Sequence, residues 1–526
     1  MLKETLTKDS LLCQVHQNGS NLQVPKRITS TTMRNAYSMP SNFEDHYFEL
    51  ESTIKQQIQV EIYEEVAQQL TSATLNTLSE TLPDFVTFNS SIVDQMQWER
   101  VADVELTDGT SEAECNFWAL VNEFCCNAVL PSIIGAQFTE SYQLLATDLA
   151  SFNRRYWALA LGLPRLSPIQ GLPGAALAQK RLTMNFAKLF RELTNPPVKR
   201  VPDDDESMSG EETDADILTP IAKLNNTFTK HDLPIATRAS IALQIIHGVV
   251  AEVVPLVFWT LLHVYSSPTS FAAAAEGTTP LEKIKQETGR WAQAIQPPSI
   301  HPSFPAPPEI VFSPGAKDIS SGDVPHLTSC INEARRLYST PNAIYQVKQS
   351  FSIHEASVRR GETDEWELEA GSYIDVGLSQ ILVNSSSTIF PESTTYNPYR
   401  FLVNPSGTSS VLYPTDKSRP YKTSLIIAIV TGIIQLWEIA PAPKKSFFDH
   451  MQEAREEAQI GAQALNAEEK AAKNKEMKEK REKESKETKW KVPQAVDASF
   501  VKVPKADIRV RIRRRENLPA KAVVRR

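Results

Sequence analysis

The strongest chemical signal in the sequence is carried by three charged residues. Glu333 and Arg336 are three apart, so on a helix they project from one face and can pair. Arg400, within Tyr396-Asn-Pro-Tyr-Arg400-Phe401, can complete a buried network with them. A carboxylate between two guanidiniums satisfies its lone pairs by forked hydrogen bonds. Alone, Glu-x-x-Arg is common on solvated helices and says little. The ordered company of the second motif gives it weight.

Other candidates are single residues. Glu252 lies in an apolar helical run, 241–264; buried there it could be a general acid for rearrangement or cyclisation, and otherwise it is an ordinary helix glutamate facing solvent. His247, in the same run, is either a possible iron ligand or a packed side chain. The five cysteines (Cys13, Cys115, Cys125, Cys126, Cys330) have no metal-finger spacing, and Cys125-Cys126 read as inert core thiols. No metal site is expected. The sequence has no His-Glu-x-x-His, no phosphate-cradling Gly-x-x-x-x-Gly-Lys and no Gly-x-Ser-x-Gly.

Positioning such residues requires a folded core, and 526 residues with 41% hydrophobic content supply one. A net charge of −8 argues against a general nucleic-acid binder. Sparse cysteines suggest reduced thiols inside the cell. The first residues lack an apolar core of signal or anchor length, so no clear transmembrane anchor is expected. The apolar stretches 241–264 and 425–439 read as buried core helices, the first being interrupted by His247, Glu252 and Pro255 and the second being short.

Along the chain, residues 1–45 read as an irregular N-terminal segment and 46–440 as the main domain. Ile54, Ile58, Ile62, Val66 and Leu70 predict one long amphipathic helix. Within the main domain, 201–216 reads as an acidic solvated loop and 297–325 as a proline-rich surface segment. Short strands are expected at 343–347, 366–368 and 374–376. Residues 441–500 form a charged insert, helical or disordered, and 516–526 a basic tail. Between them, 501–515 predicts a terminal strand from the alternation Ile508-Arg-Val510-Arg-Ile512-Arg513. Arg513-Arg514-Arg515 could instead be a targeting or polyanion-binding cluster.

Taken in order, these motifs resemble the cytochrome P-450 family, of the kind common in fungal specialised metabolism. The likeness runs through 190–197, through His247-Gly-Val-Val-Ala-Glu-Val-Val-Pro-Leu-Val-Phe-Trp259, Ile284-Lys-Gln-Glu287, Glu333-Ala-Arg-Arg336, Gly371-Ser-Tyr-Ile-Asp375, Ile389-Phe-Pro-Glu-Ser393 and the Arg400 motif. It covers about residues 115–440 and 502–515. The resemblance implies a mainly α fold with a small β region, a lipophilic small-molecule substrate, haem, and a reductase partner if haem is present. It also implies an intracellular setting, cytoplasmic or peripheral at the endoplasmic reticulum membrane.

The departures concern the haem. Aligning Arg419 with the family's loop arginine puts Asp416 where the thiolate belongs, and Cys330 is the last cysteine. Ala251-Glu252-Val253 keeps an acid but lacks the threonine of the family's oxygen site, and Ile344-Tyr-Gln-Val347 lacks the arginine that faces a propionate. The expectation is therefore a P-450-like protein of small-molecule biosynthesis, with no thiolate ligand identified and a non-oxidative rearrangement or cyclisation as its chemistry. The alternatives are a working monooxygenase whose sequence is damaged here, and a non-catalytic relative that binds a ligand or partner.

Overall fold

The computed structural model describes residues 14–15, 17–64, 66–107, 112–195, 219–267, 279–298, 306–319, 322–340, 344–356, 363–402, 419–442 and 490–520. The acidic loop 201–216, Asp416 and the charged stretch 444–489 lie outside them. The architecture is mainly helical with small antiparallel sheets.

At the centre runs the helix Ile235–Ser266, 32 residues long and apolar on every side. A helix without a polar face must be covered all round. It is covered by helices Phe117–Ile134, Leu172–Thr194, Pro325–Tyr338 and Arg419–Leu436. Phe117–Ile134 and the central helix are long and apolar enough to cross a membrane, yet 72% and 83% of their most apolar windows are buried inside the protein. The central helix is a core element, as 241–264 suggested.

The predicted single helix through Ile54 and Leu70 is instead two. Helix Glu44–Ile58 passes into a π turn, Gln59–Tyr63, and helix Ala67–Thr81 follows. A four-residue repeat on a 3.6-residue helix drifts about 40° per step, so Leu70 would end up nearly opposite Ile54. The wider π turn and the break after it return Ile54, Ile62 and Leu70 to the core, where all three are buried.

Three further expectations need correction. Residues 1–45 are not irregular throughout: Leu22–Gln23 pairs with Ile344–Val347, and Lys26–Asn35 is a helix. Residues 280–295 read from sequence as one helix, but the helix ends at Thr288, capped at its start by Thr279 and Glu282, and gives way to strand Ala292–Ile295. That strand pairs with Glu309–Phe312, so part of the proline-rich segment is sheet. The strand expected at 366–368 is one arm of a hairpin, Phe351–Ala356 with Thr363–Leu368.

The terminal strand Arg509–Arg514 is central in a four-stranded sheet, between Trp437–Pro441 and Glu112–Asn116. Val510 and Ile512 are buried, as the alternation predicts. Arg511 on the opposite face is buried too, and its Nε sits 2.8 Å from Glu114 Oε1. Arg513 meets Glu438 at 2.8 Å. Acids on the neighbouring strands neutralise this arginine ladder, which favours the strand reading over a polyanion cluster.

Candidate functional site

Helix Pro325–Tyr338 carries Glu333 and Arg336 inward, both fully buried. Arg336 grips the carboxylate with both arms of its fork, Nε to Oε2 and Nη2 to Oε1, each at 2.8 Å. Arg400 Nε reaches Oε1 at 2.9 Å, and the backbone N–H of Asn397 donates to the same oxygen at 3.1 Å. The three residues singled out from sequence are thus assembled into one network.

The network also holds a loop. Arg336 Nη1 donates to the carbonyls of Asn384 (2.6 Å) and Ser393 (2.7 Å), and Arg400 Nη1 to that of Pro391 (2.8 Å). Phe390 lies under both guanidiniums, 5.1 and 5.9 Å from ring centroid to cation. Tyr396 donates its hydroxyl to the Cys330 carbonyl at 3.0 Å. A buried charge group is tolerated only when its donors are all used, and here they are spent on fixing residues 384–401.

That loop forms one wall of a cavity of about 860 Å³. Other walls are the end of the central helix, through His263, the Tyr338–Thr340 turn, and the returning segment around Lys502. His263 stacks on Tyr396 at 4.0 Å with rings 5° from parallel, and Tyr338 stacks on Trp259 at 3.9 Å and 4°. His263 Nε2 and the Tyr338 hydroxyl are 2.7 Å apart. Burial lowers His263 to about 3, so the imidazole is neutral, and burial raises the Tyr338 phenol. Ser393 and Thr395 also line the cavity, the Ser393 hydroxyl donating to the Ser385 carbonyl at 2.7 Å. A volume of this size suits a drug-sized molecule, with aromatic faces for its apolar part and hydroxyls for its polar part.

Sequence reasoning missed His263, Tyr338 and the cavity. Its available signal was Tyr396, already within the quoted motif, and a second histidine on the apolar helix.

Glu252 sits elsewhere and is not in the cavity lining. Its carboxylate lies 3.3 Å from Arg335 Nη2 and 3.0 Å from Lys422 Nζ. Arg335 Nη2 continues to Thr423 Oγ1 at 3.1 Å. The adjacent arginines 335 and 336 therefore serve two separate clusters. Glu252 is half-buried and outside the described cavity; it ties together the central helix, the Glu333 helix and the last helix. Neither sequence alternative for Glu252 anticipated this.

His247 is enclosed as well. Nδ1 is 2.9 Å from the Tyr37 hydroxyl, Nε2 is 3.3 Å from Asn153 Oδ1, and the ring stacks on Tyr156 at 5.0 Å. Both nitrogens are engaged, which favours the packed reading over the iron ligand.

No family model matches the chain, and no match was found among curated proteins.

The residues described do not fit a thiolate-held haem. Cys115, Cys125, Cys126 and Cys330 are buried in close-packed core, and none lines the 860 Å³ cavity. Burial pushes the Cys330 thiol up to about 12, away from the thiolate an iron ligand requires. Among the described residues, no group of three or more His, Cys, Asp or Glu is arranged to hold a metal ion.

Proposed function

We propose that this chain is a cytochrome P-450-like protein of small-molecule biosynthesis that binds its substrate in the cavity beside Tyr396, without thiolate-dependent oxygen activation. The observation that carries the reading is the buried Glu333–Arg336–Arg400 network, because it joins two ordered sequence motifs and shapes a wall of the cavity. The ligand would be lipophilic in part, lying on the His263–Tyr396 and Tyr338 faces, with polar groups meeting the hydroxyl rim.

The chemistry that suits the wall is proton transfer. Tyr338 and the neutral His263 share one hydrogen bond, so a bound hydroxyl or carbonyl within reach of the phenol could exchange a proton while the imidazole accepts or returns one. Such a pair supports a non-oxidative rearrangement or cyclisation and needs no external electron donor.

Two measurements test this. The reduced protein under carbon monoxide is expected to show no thiolate-type Soret band; such a band would restore the monooxygenase reading. A panel of lipophilic polyketide-like and terpenoid-like compounds is expected to raise the melting temperature of the wild type, and Tyr338→Phe is expected to keep binding but lose turnover of any converted compound. Failure of every compound to bind would remove the substrate-cavity reading.

A further inference from the structure

Another cavity, of about 510 Å³, lies between helix Pro280–Thr288, the end of the central helix at Tyr265, and the strands Trp437–Pro441 and Arg509–Arg514. It shares no lining residue with the cavity beside Tyr396. Leu281, Ile439 and Ile512 give it apolar surface, and Lys285, Arg511, Arg513, Glu112 and Glu438 bring charge to it.

The acids around this cavity are already committed. Glu438 meets Arg513 at 2.8 Å, Glu112 lies 3.8 Å from the same guanidinium, and Glu114 holds Arg511 at 2.8 Å. Glu282, one turn before Lys285, caps its own helix by accepting from the Thr279 N–H at 2.8 Å. Lys285 itself pairs with no carboxylate among the described residues. Arg515, just past the terminal strand, is in the same position. Its Nη1 donates to the Gln435 carbonyl at 3.2 Å and to Gln435 Oε1 at 3.1 Å, and it meets no acid among the described residues. Gln435 links the two cations, because its Nε2 donates to the Lys285 carbonyl at 2.8 Å. Burial lowers the Lys285 ammonium below its ordinary value, and repulsion from Arg515 adds to the fall. Two cations held near each other without a counter-ion are unfavourable, and an anion in the adjoining cavity would relieve them.

We propose that this cavity binds a small organic anion, its phosphate or carboxylate group held by Lys285 in the positive field of Arg515 and its body resting on Leu281, Ile439 and Ile512. A cavity of this volume is in the range of small-molecule sites. Glu112 and Glu438, neutralised by Arg513, remain able to accept hydrogen bonds from hydroxyl groups on the ligand. A long polyanion is a poorer occupant, since the cations sit in a pocket with two carboxylates and not along an open basic face. The proposal stands apart from the substrate reading of the Tyr396 cavity, and either can fail without the other.

The test uses the full chain at fixed ionic strength, with glucose 6-phosphate, citrate and inorganic phosphate as probes. At least one of the two organic anions is expected to raise the melting temperature saturably, at lower concentration than inorganic phosphate does. Lys285→Gln should weaken that binding about tenfold or more, the loss of one charged hydrogen bond. Without ligand the same variant should melt no lower than wild type, because it removes a charge that has no partner. Reductive methylation of the wild type, mapped by peptide mass spectrometry, gives a second readout that needs no variant: the bound anion should protect Lys285. The proposal is overturned if none of the three anions stabilises the protein saturably, or if Lys285→Gln binds as tightly as wild type. It is also overturned if methylation of Lys285 is indifferent to the anion. Inorganic phosphate binding as tightly as both organic anions would overturn the organic body of the ligand.

Discussion

Lys422 and Glu252 meet at 3.0 Å and join the start of the last helix to the middle of the central one. Arg335 closes the same cluster from the Glu333 helix at 3.3 Å. Three helices far apart in sequence are thus held by one carboxylate, and the residue that looked like a general acid serves as a strut.

Glu252→Gln is accordingly expected to lower stability while leaving ligand binding in the Tyr396 cavity unchanged. Removing the negative charge leaves Arg335 and Lys422, both largely buried, facing each other without their counter-ion. Denaturant midpoints and ligand titrations on the same sample separate the two effects. A variant as stable as wild type but unable to bind or turn over ligand would return Glu252 to the mechanism.

Glu333→Gln should cost more. It strips the counter-ion from Arg336 and Arg400 in a site that is fully buried, for which breaking a pair costs about 3–5 kcal/mol. Arg400→Ala should cost less, because Arg336 retains its fork on the carboxylate. Equilibrium unfolding in urea ranks them, and equal losses would mean that the network is not centred on Glu333.

Acid sensitivity should come in part from the buried histidines. Burial lowers both His247 and His263 to about 3 from an ordinary value of 6.5. Their folded values are depressed, so between about 6.5 and 3 the unfolded chain takes up protons that the folded chain refuses. Their contribution is intact above pH 6.5 and declines as pH falls, on the order of 1 kcal/mol per pH unit for each histidine. His247→Gln and His263→Gln should each flatten the fall in stability between pH 7 and pH 5. A slope unchanged in both would show that other groups govern it.

Glu123 acts in the opposite sense. Burial raises its carboxyl to about 7, and although Thr147 donates to Oε1 at 2.7 Å, Oε2 has no hydrogen-bond partner. A raised folded value means that stability is fullest below about 4.5 and is lost as pH rises through 7. Glu123→Gln should therefore stabilise the protein at pH 8 and change little at pH 4.5. Thermal melts at the two pH values check the sign.

Periodicity made much of the secondary structure legible. The central helix follows from its unbroken apolar run, the terminal strand from its alternation, and the pairing of Glu333 with Arg336 from a three-residue offset on a helix. Even the false single helix through Ile54 and Leu70 came from a true pattern, whose angular drift the chain corrects with a π turn. What spacing could not convey was where distant elements meet. The destination of Arg335 beside Glu252, the enclosure of His247 by Tyr37 and Asn153, and the stacking of His263 on Tyr396 join residues 83 to 210 positions apart. Only long-range packing decides which buried polar group finds which partner, because burial without a partner is costly and the chain must satisfy all such groups at once.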